Sequence, residues 1–288
     1  MDKFSGVGVA LVTPFTTKFE IDFDALERVI NHTIRGNANY LVVLGTTGET
    51  PTLTEDEKQQ LLRFVVKKVD GRVPIVVGIG TNDTNVVLQQ ARTWDLSGVD
   101  AILSVSPTYN KPSQEGIYRH FAALAEATDL PIILYNVPGR TSSNMLPETV
   151  LRLAANYRNI IGIKEASGNM LQALQLAKYR PEGFLLISGD DHITLPLVSL
   201  GFNGVISVVA NAFPADFCLL VKLALMGNFK EALPIQHALL EKMDMLFAEN
   251  NPAGVKAFLY ELGLIENVLR LPLVPLSEKL HGQLRELM

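Results

Sequence analysis

The segment Asn159-Ile160-Ile161-Gly162-Ile163-Lys164-Glu165-Ala166-Ser167-Gly168-Asn169 runs from apolar residues into a lysine and then into turn residues. Ile160, Ile161, Gly162 and Ile163 carry no polar side chain, so the run reads as a short strand buried on both faces, as in parallel sheets covered by helices. Lys164 then falls where an apolar strand meets a loop. Burial disfavours the charged form of an amine, and a neutral amine is a nucleophile toward a ketone. The competing reading is a solvated charge at a strand end beside Glu165.

Working outward, similar β-branched runs recur at Val7 to Val12, Leu41 to Leu44, Ile75 to Ile79, Ala101 to Val105, Ile132 to Tyr135, Leu185 to Ser188 and Val205 to Val208. With the run at Ile160 they make eight. Helical patterns lie between them. Phe23, Leu26, Val29, Ile30, Thr33 and Ile34 form one apolar stripe, Thr54 with Glu57 forms a capping box, and Pro147 suits a helix first turn. Further helices are predicted at Thr84 to Ser97, Ser113 to Thr128, Met170 to Lys178, His192 to Leu200 and Pro214 to Met226.

Strand and helix alternating in this way spell a (β/α)8 TIM barrel. A doubly wound sheet is the runner-up, but no glycine-rich dinucleotide fingerprint follows any strand. After Met226 the alternation stops. Phe229 to Glu249, Val255 to Leu262 and Leu276 to Leu287 read as helices, so residues 1-226 are assigned to the barrel and 227-288 to a C-terminal helical extension.

Composition narrows the function classes. The 288 residues are 48% hydrophobic with a mean hydropathy of +0.20, enough for a large core and for some apolar surface buried between subunits. The net charge of -5 comes from interspersed acids and bases, which argues against a nucleic-acid partner. The only cysteine, Cys218, sits in an apolar helical pattern and is expected in the core. No apolar run is long enough for a membrane span and no signal-like segment opens the chain, so a soluble cytoplasmic protein is expected.

In a barrel of this type chemistry gathers at the C-terminal ends of the strands. There the chain places Gly45-Thr46-Thr47-Gly48-Glu49, Ser106-Pro107-Thr108-Tyr109, Tyr135-Asn136-Val137-Pro138-Gly139-Arg140-Thr141, Lys164 and Ser188-Gly189-Asp190-Asp191. Hydroxyls between glycines can donate to a small carboxylate, a tyrosine near a lysine can carry protons, and an arginine fork can hold a second carboxylate. Each alone is ordinary loop chemistry. Together, Thr46, Thr47, Tyr109, Tyr135, Arg140 and Lys164 form the constellation that a Schiff-base reaction on an oxo acid requires. The histidines at 32, 120, 192, 237 and 281 lack ligand spacing, which argues against a histidine-based metal site, and Asp190-Asp191-His192 reads as a helix N-cap.

These segments resemble the 4-hydroxy-tetrahydrodipicolinate (dihydrodipicolinate) synthases of the pyruvate-dependent lyase superfamily, on Gly45 to Glu49, Tyr135 to Thr141, Gly162 to Gly168, Ser188 to Asp191 and Asn251-Pro252. The resemblance covers essentially the whole chain and implies condensation of pyruvate with L-aspartate 4-semialdehyde. It implies an imine on Lys164, proton relay by Tyr135, Thr46 and a neighbouring subunit's Tyr109, and a pyruvate carboxylate held by Thr46 and Thr47. It further implies the semialdehyde carboxylate on Arg140, backbone carbonyls of Gly189 and Ile206 lining the pocket, no metal or organic cofactor, and a homotetramer built from two dimers, or a dimer.

N-acetylneuraminate lyases and 2-keto-3-deoxy sugar acid aldolases share a similar lysine and tyrosine but usually lack the arginine, so Arg140 favours the synthases. A non-catalytic barrel that binds oxo acids is the reading from another class. One departure bears on regulation. Where lysine-inhibited synthases carry an aromatic residue, histidines and a carboxylate, this chain has Thr108, Glu55, Lys58 and Val86, so weak or absent feedback by lysine is expected.

Overall fold

The computed structural model describes residues 2–288. Eight parallel strands, β1 (Gly6–Ala10), β2 (Tyr40–Val43), β3 (Ile75–Gly78), β4 (Ala101–Val105), β5 (Ile132–Asn136), β6 (Ile160–Glu165), β7 (Leu185–Ser188) and β8 (Gly204–Ser207), close into a barrel in chain order. β1 pairs with β8, Gly6 lying opposite Gly204, so no strand edge is left open. This is the (β/α)8 architecture expected from the alternation.

Helices α1 (Phe23–Arg35), α2 (Glu55–Val69), α3 (Thr84–Thr93), α4 (Gln114–Ala127), α5 (Pro138–Thr141), α6 (Pro147–Asn156), α7 (Met170–Tyr179), α8 (Thr194–Ser199) and α9 (Pro214–Leu225) follow the strands. Most of the larger ones start where side-chain chemistry predicts. Thr54 and Glu57 form the reciprocal capping box of α2, and Asp22, Asp83, Ser113 and Asn169 cap α1, α3, α4 and α7. Pro147 occupies the first turn of α6. The chain ends in α10 (Phe229–Phe247), α11 (Ala253–Glu261) and α12 (Glu278–Glu286).

Side chains alternate across the strands. Tyr40 and Val42, Ala101 and Leu103, Ile133 and Tyr135, and Leu185 and Ile187 belong to one interior cluster. Residues such as Val7, Val9, Leu41, Val43 and Val77 join a second cluster that includes the helices. That outer core extends without a break to Leu239, Met243, Leu246, Val255 and Phe258 of the C-terminal helices, and Cys218 lies in it. Among the described residues no helix is long and apolar enough to cross a membrane.

Candidate active site

Lys164 is 6% exposed and lies on β6 directly opposite Tyr135 of β5. Its Nζ is 4.3 Å from the centroid of the Tyr135 ring. The strand runs one residue beyond the lysine, to Glu165, so Lys164 is inside the sheet and is not a solvated end charge.

An irregularity in the ladder directs it inward. Ile132 pairs with Ile160 but Ile133 pairs with Gly162, leaving Ile161 as an extra residue in β6. Ile161 packs against the interior cluster, whereas Ile163, two residues on, belongs to the outer one. In a regular strand these two would share a face. The register shift therefore changes the phase of the strand and sends Lys164 into the barrel.

Glu165 consequently faces outward. Its Oε2 accepts from Asn136 Nδ2 at 3.0 Å and Gln172 Nε2 at 2.9 Å, and its Oε1 accepts from the Ser167 backbone N–H at 2.7 Å. Asn136 also donates to Asn144, whose amide donates to Gln172. This buried polar network ties β5, β6 and α7 together directly behind Tyr135 and Lys164, and nothing in the spacing of these residues announced it.

Gly189 makes room for the lysine's stem. A Cβ there would lie 2.9 Å from Lys164 Cε and 2.5 Å from Ala166 Cβ, so any side chain would displace the amine's stem. Ile206, 1% exposed, is part of the interior cluster. Lys164, Tyr135, Gly189 and Ile206 are thus gathered in the upper part of the barrel.

Thr46 and Thr47 form a short 3-10 turn (Thr46–Gly48) after β2, held by Thr13 Oγ1 donating to the Gly48 carbonyl at 2.7 Å. Thr46 is half-buried and Thr47 is 2% exposed. Leu44 and Glu49 flank the turn with φ of 57° and 53°, a left-handed backbone that non-glycine residues seldom adopt. Gly78 makes room for this bend, because a Cβ on it would lie 2.1 Å from the Leu44 carbonyl oxygen.

Arg140 sits on the exposed side of α5. Tyr109 stands further out, 86% exposed with φ of 66°, projecting from its own chain.

The Asp190-Asp191-His192 cluster departs from the N-cap reading. Ile193 precedes α8 and no side chain caps that helix. Asp190 Oδ1 instead accepts from the His192 backbone N–H at 3.0 Å. Asp191 is buried, and its Oδ2 accepts from the Val208 and Val209 backbone N–H groups at 2.9 and 3.1 Å, clamping the turn after β8. Burial raises the Asp191 carboxyl above its ordinary range, against the lowering effect of these hydrogen bonds.

A second buried lysine lies behind the Thr46-Thr47 turn. Lys256 of α11 and Glu49 form an ion pair in which both side chains are fully buried. Lys256 Nζ also donates to the Val268 carbonyl at 2.9 Å and lies 4.3 Å from the Phe15 ring centroid. Burial pushes its ammonium down to about 8, and the charge of Glu49 opposes that shift. Glu49 Oε2 accepts from the Arg270 backbone N–H at 3.0 Å, and Asn251 Nδ2 donates to Thr47 Oγ1 at 2.9 Å. Asn251 and Glu49 belong to the segments that carry the family resemblance, whereas no local pattern marks Lys256 or Arg270.

A family model described as the dihydrodipicolinate synthetase family matches residues 3–288. The chain belongs to this family. It is 52% identical over 289 residues to the 4-hydroxy-tetrahydrodipicolinate synthase of Phocaeicola vulgatus, covering 99% of this chain and 97% of that one. It is 52% identical over 284 residues to the synthase of Flavobacterium psychrophilum, again covering 99% and 97%. The crystal structure of dihydrodipicolinate synthase from Thermotoga maritima superposes with a TM-score of 0.96 at 43% identity, covering 99% of this chain and 97% of that one. The closed eight-stranded barrel agrees with that membership.

Proposed function

We propose that the chain condenses pyruvate with L-aspartate 4-semialdehyde to give 4-hydroxy-tetrahydrodipicolinate, a step of lysine and diaminopimelate biosynthesis. The observation that carries this reading is the seat of Lys164: a buried amine stacked against Tyr135, its stem packed closely over Gly189, with no ion pair to hold it among the described residues. The relatives' shared name supports the choice of substrates.

In this mechanism Lys164 Nζ, as the free amine, attacks the keto carbon of pyruvate, and the carbonyl oxygen leaves as water. The protonated imine draws electrons from the methyl group, which loses a proton and becomes an enamine. The enamine carbon adds to the aldehyde. The substrate's own amine then attacks the imine carbon, closes the ring and releases Lys164. Tyr135 relays protons with Thr46 and the Tyr109 of a neighbouring subunit, a contribution of about 10²- to 10⁴-fold in rate. Thr46 and Thr47 donate to the pyruvate carboxylate, Arg140 holds that of the semialdehyde, and the carbonyls of Gly189 and Ile206 line the pocket. The imine supplies the electron sink, so the reaction calls for neither metal nor organic cofactor.

Tyr109 projects too far from its own barrel to be read as an interior group, which supports an assembly of at least two copies. Leu171, Leu174 and Tyr179 leave apolar surface exposed on α7, which supports a second contact and a homotetramer. The location is cytoplasmic. Feedback by lysine is weak or absent, since Lys58, paired with Glu55 at 2.7 Å, presents a cation where a lysine ligand's ammonium would come.

Borohydride reduction in the presence of pyruvate, followed by peptide mass mapping, tests the reading. A single adduct on Lys164 is expected. An adduct on another lysine, or none, refutes the imine.

A further inference from the structure

We propose that the C-terminal segment belongs to the pyruvate site: Asn251, Lys256 and Arg270 act as positioning residues that hold the Thr46-Thr47-Gly48-Glu49 turn in the geometry for gripping a carboxylate. The inference rests on the function proposed above and adds a role for residues that touch no substrate.

Three contacts converge on four consecutive residues. Asn251 Nδ2 reaches Thr47 Oγ1 at 2.9 Å, Lys256 pairs with Glu49 Oε1, and the Arg270 backbone N–H reaches Glu49 Oε2 at 3.0 Å. Each joins parts of the chain more than 200 positions apart, as the separations of 204 and 221 for the two hydrogen bonds illustrate. Lys256 is itself fixed by the Val268 carbonyl and the Phe15 ring, and Arg270 is fixed on the surface side by Glu57 and the Thr52 and Phe19 carbonyls. The turn is therefore gripped from a rigid frame.

The Asn251 contact also sets the direction of a proton. A hydroxyl has one hydrogen to donate and lone pairs to accept with. Thr47 Oγ1 accepts from the Asn251 amide, so its hydrogen is left to donate, and an ionised carboxylate can only accept. The bond selects the hydroxyl orientation that pyruvate requires.

The ion pair has no comparable use as a stabiliser. Replacing a buried pair by apolar side chains of similar volume is often neutral or favourable, so such pairs are better understood through the geometry they impose. Here that geometry includes the left-handed backbone of Glu49, which ends the turn.

The test uses the full chain with two variants, Asn251→Ala and the charge-free double replacement Glu49→Gln with Lys256→Met. The double replacement leaves no unpaired buried charge. The expected result is a thermal midpoint near the wild type's together with a pyruvate KM raised about tenfold, while kcat falls less than about threefold and the semialdehyde KM is unchanged. Asn251→Ala is expected to raise the pyruvate KM about fivefold by freeing the Thr47 hydroxyl. A folded variant of either kind with the wild-type pyruvate KM overturns the proposal, and if the double variant does not fold, Asn251→Ala decides alone. Borohydride trapping on the wild type runs beside them. Its failure strikes the proposed function, whereas trapping with unchanged KM values strikes only the positioning role.

Discussion

Lys164, inside the ring of strands, and Lys256, between the ring and the C-terminal helices, are both buried, 6% and 0% exposed. Around Lys256 the chain gathers a carboxylate, a backbone carbonyl and an aromatic face. Around Lys164, among the described residues, there is no ion pair; its neighbours are a tyrosine ring and a closely packed glycine, and the adjacent Glu165 is turned outward. A paired cation is held in place by its partner. An amine with no ionic partner is left available for bond formation. The difference between a structural and a reactive lysine thus lies in what is withheld from it.

The largest effect expected from this contrast is on turnover. Lys164→Met should lower kcat by about 10⁴-fold, as loss of a covalent nucleophile does, and leave stability within about 1 kcal/mol of the wild type because no partner charge is stranded. Steady-state assays and denaturant titration measure both. Lys256→Met should show the opposite pattern, losing about 3–5 kcal/mol because Glu49 is left charged and alone in the core, while imine formation on Lys164 persists. Comparable stability losses in the two variants would break the comparison.

A smaller effect is expected from acid. The Arg270 guanidinium holds Glu57 down to about 2, against 4.5 for an ordinary carboxyl. Between these values the unfolded chain takes up a proton that the folded chain refuses, so stability present above about 4.5 is lost as pH falls toward 2. Thermal midpoints across that window should flatten in Arg270→Met, which sharpens the distinction between the fixed frame at the C-terminal side and the unpaired amine in the barrel.

How much of this was legible in the sequence follows from the range of the forces involved. Strand positions emerged to within about two residues because β-branched runs bounded by turn residues report local burial, and the Thr54-Glu57 capping box is a purely local device. Lys164, Tyr135 and Gly189 could be placed because the fold confines chemistry to the strand ends. The four-residue helix α5 and the 3-10 turns are too short to show any periodicity. Asn251 and Lys256 act through partners over 200 residues away, and Asp191 through the turn after β8, so their roles emerge only when the barrel closes. The face on which Lys164 would emerge was also hidden, because Ile160-Ile161-Gly162-Ile163 is apolar throughout and carries no alternation to count.

The extra residue at Ile161 makes the identity of the pocket a matter of parity. Had β6 kept every residue but paired without that offset, the side chains beyond it would lie on the opposite sides: a carboxylate would enter the ring and the amine would be lodged among the helices. Evolution can trade isoleucines here for valines freely, but a residue added to the strand is harmless to the pocket only while the offset absorbs it.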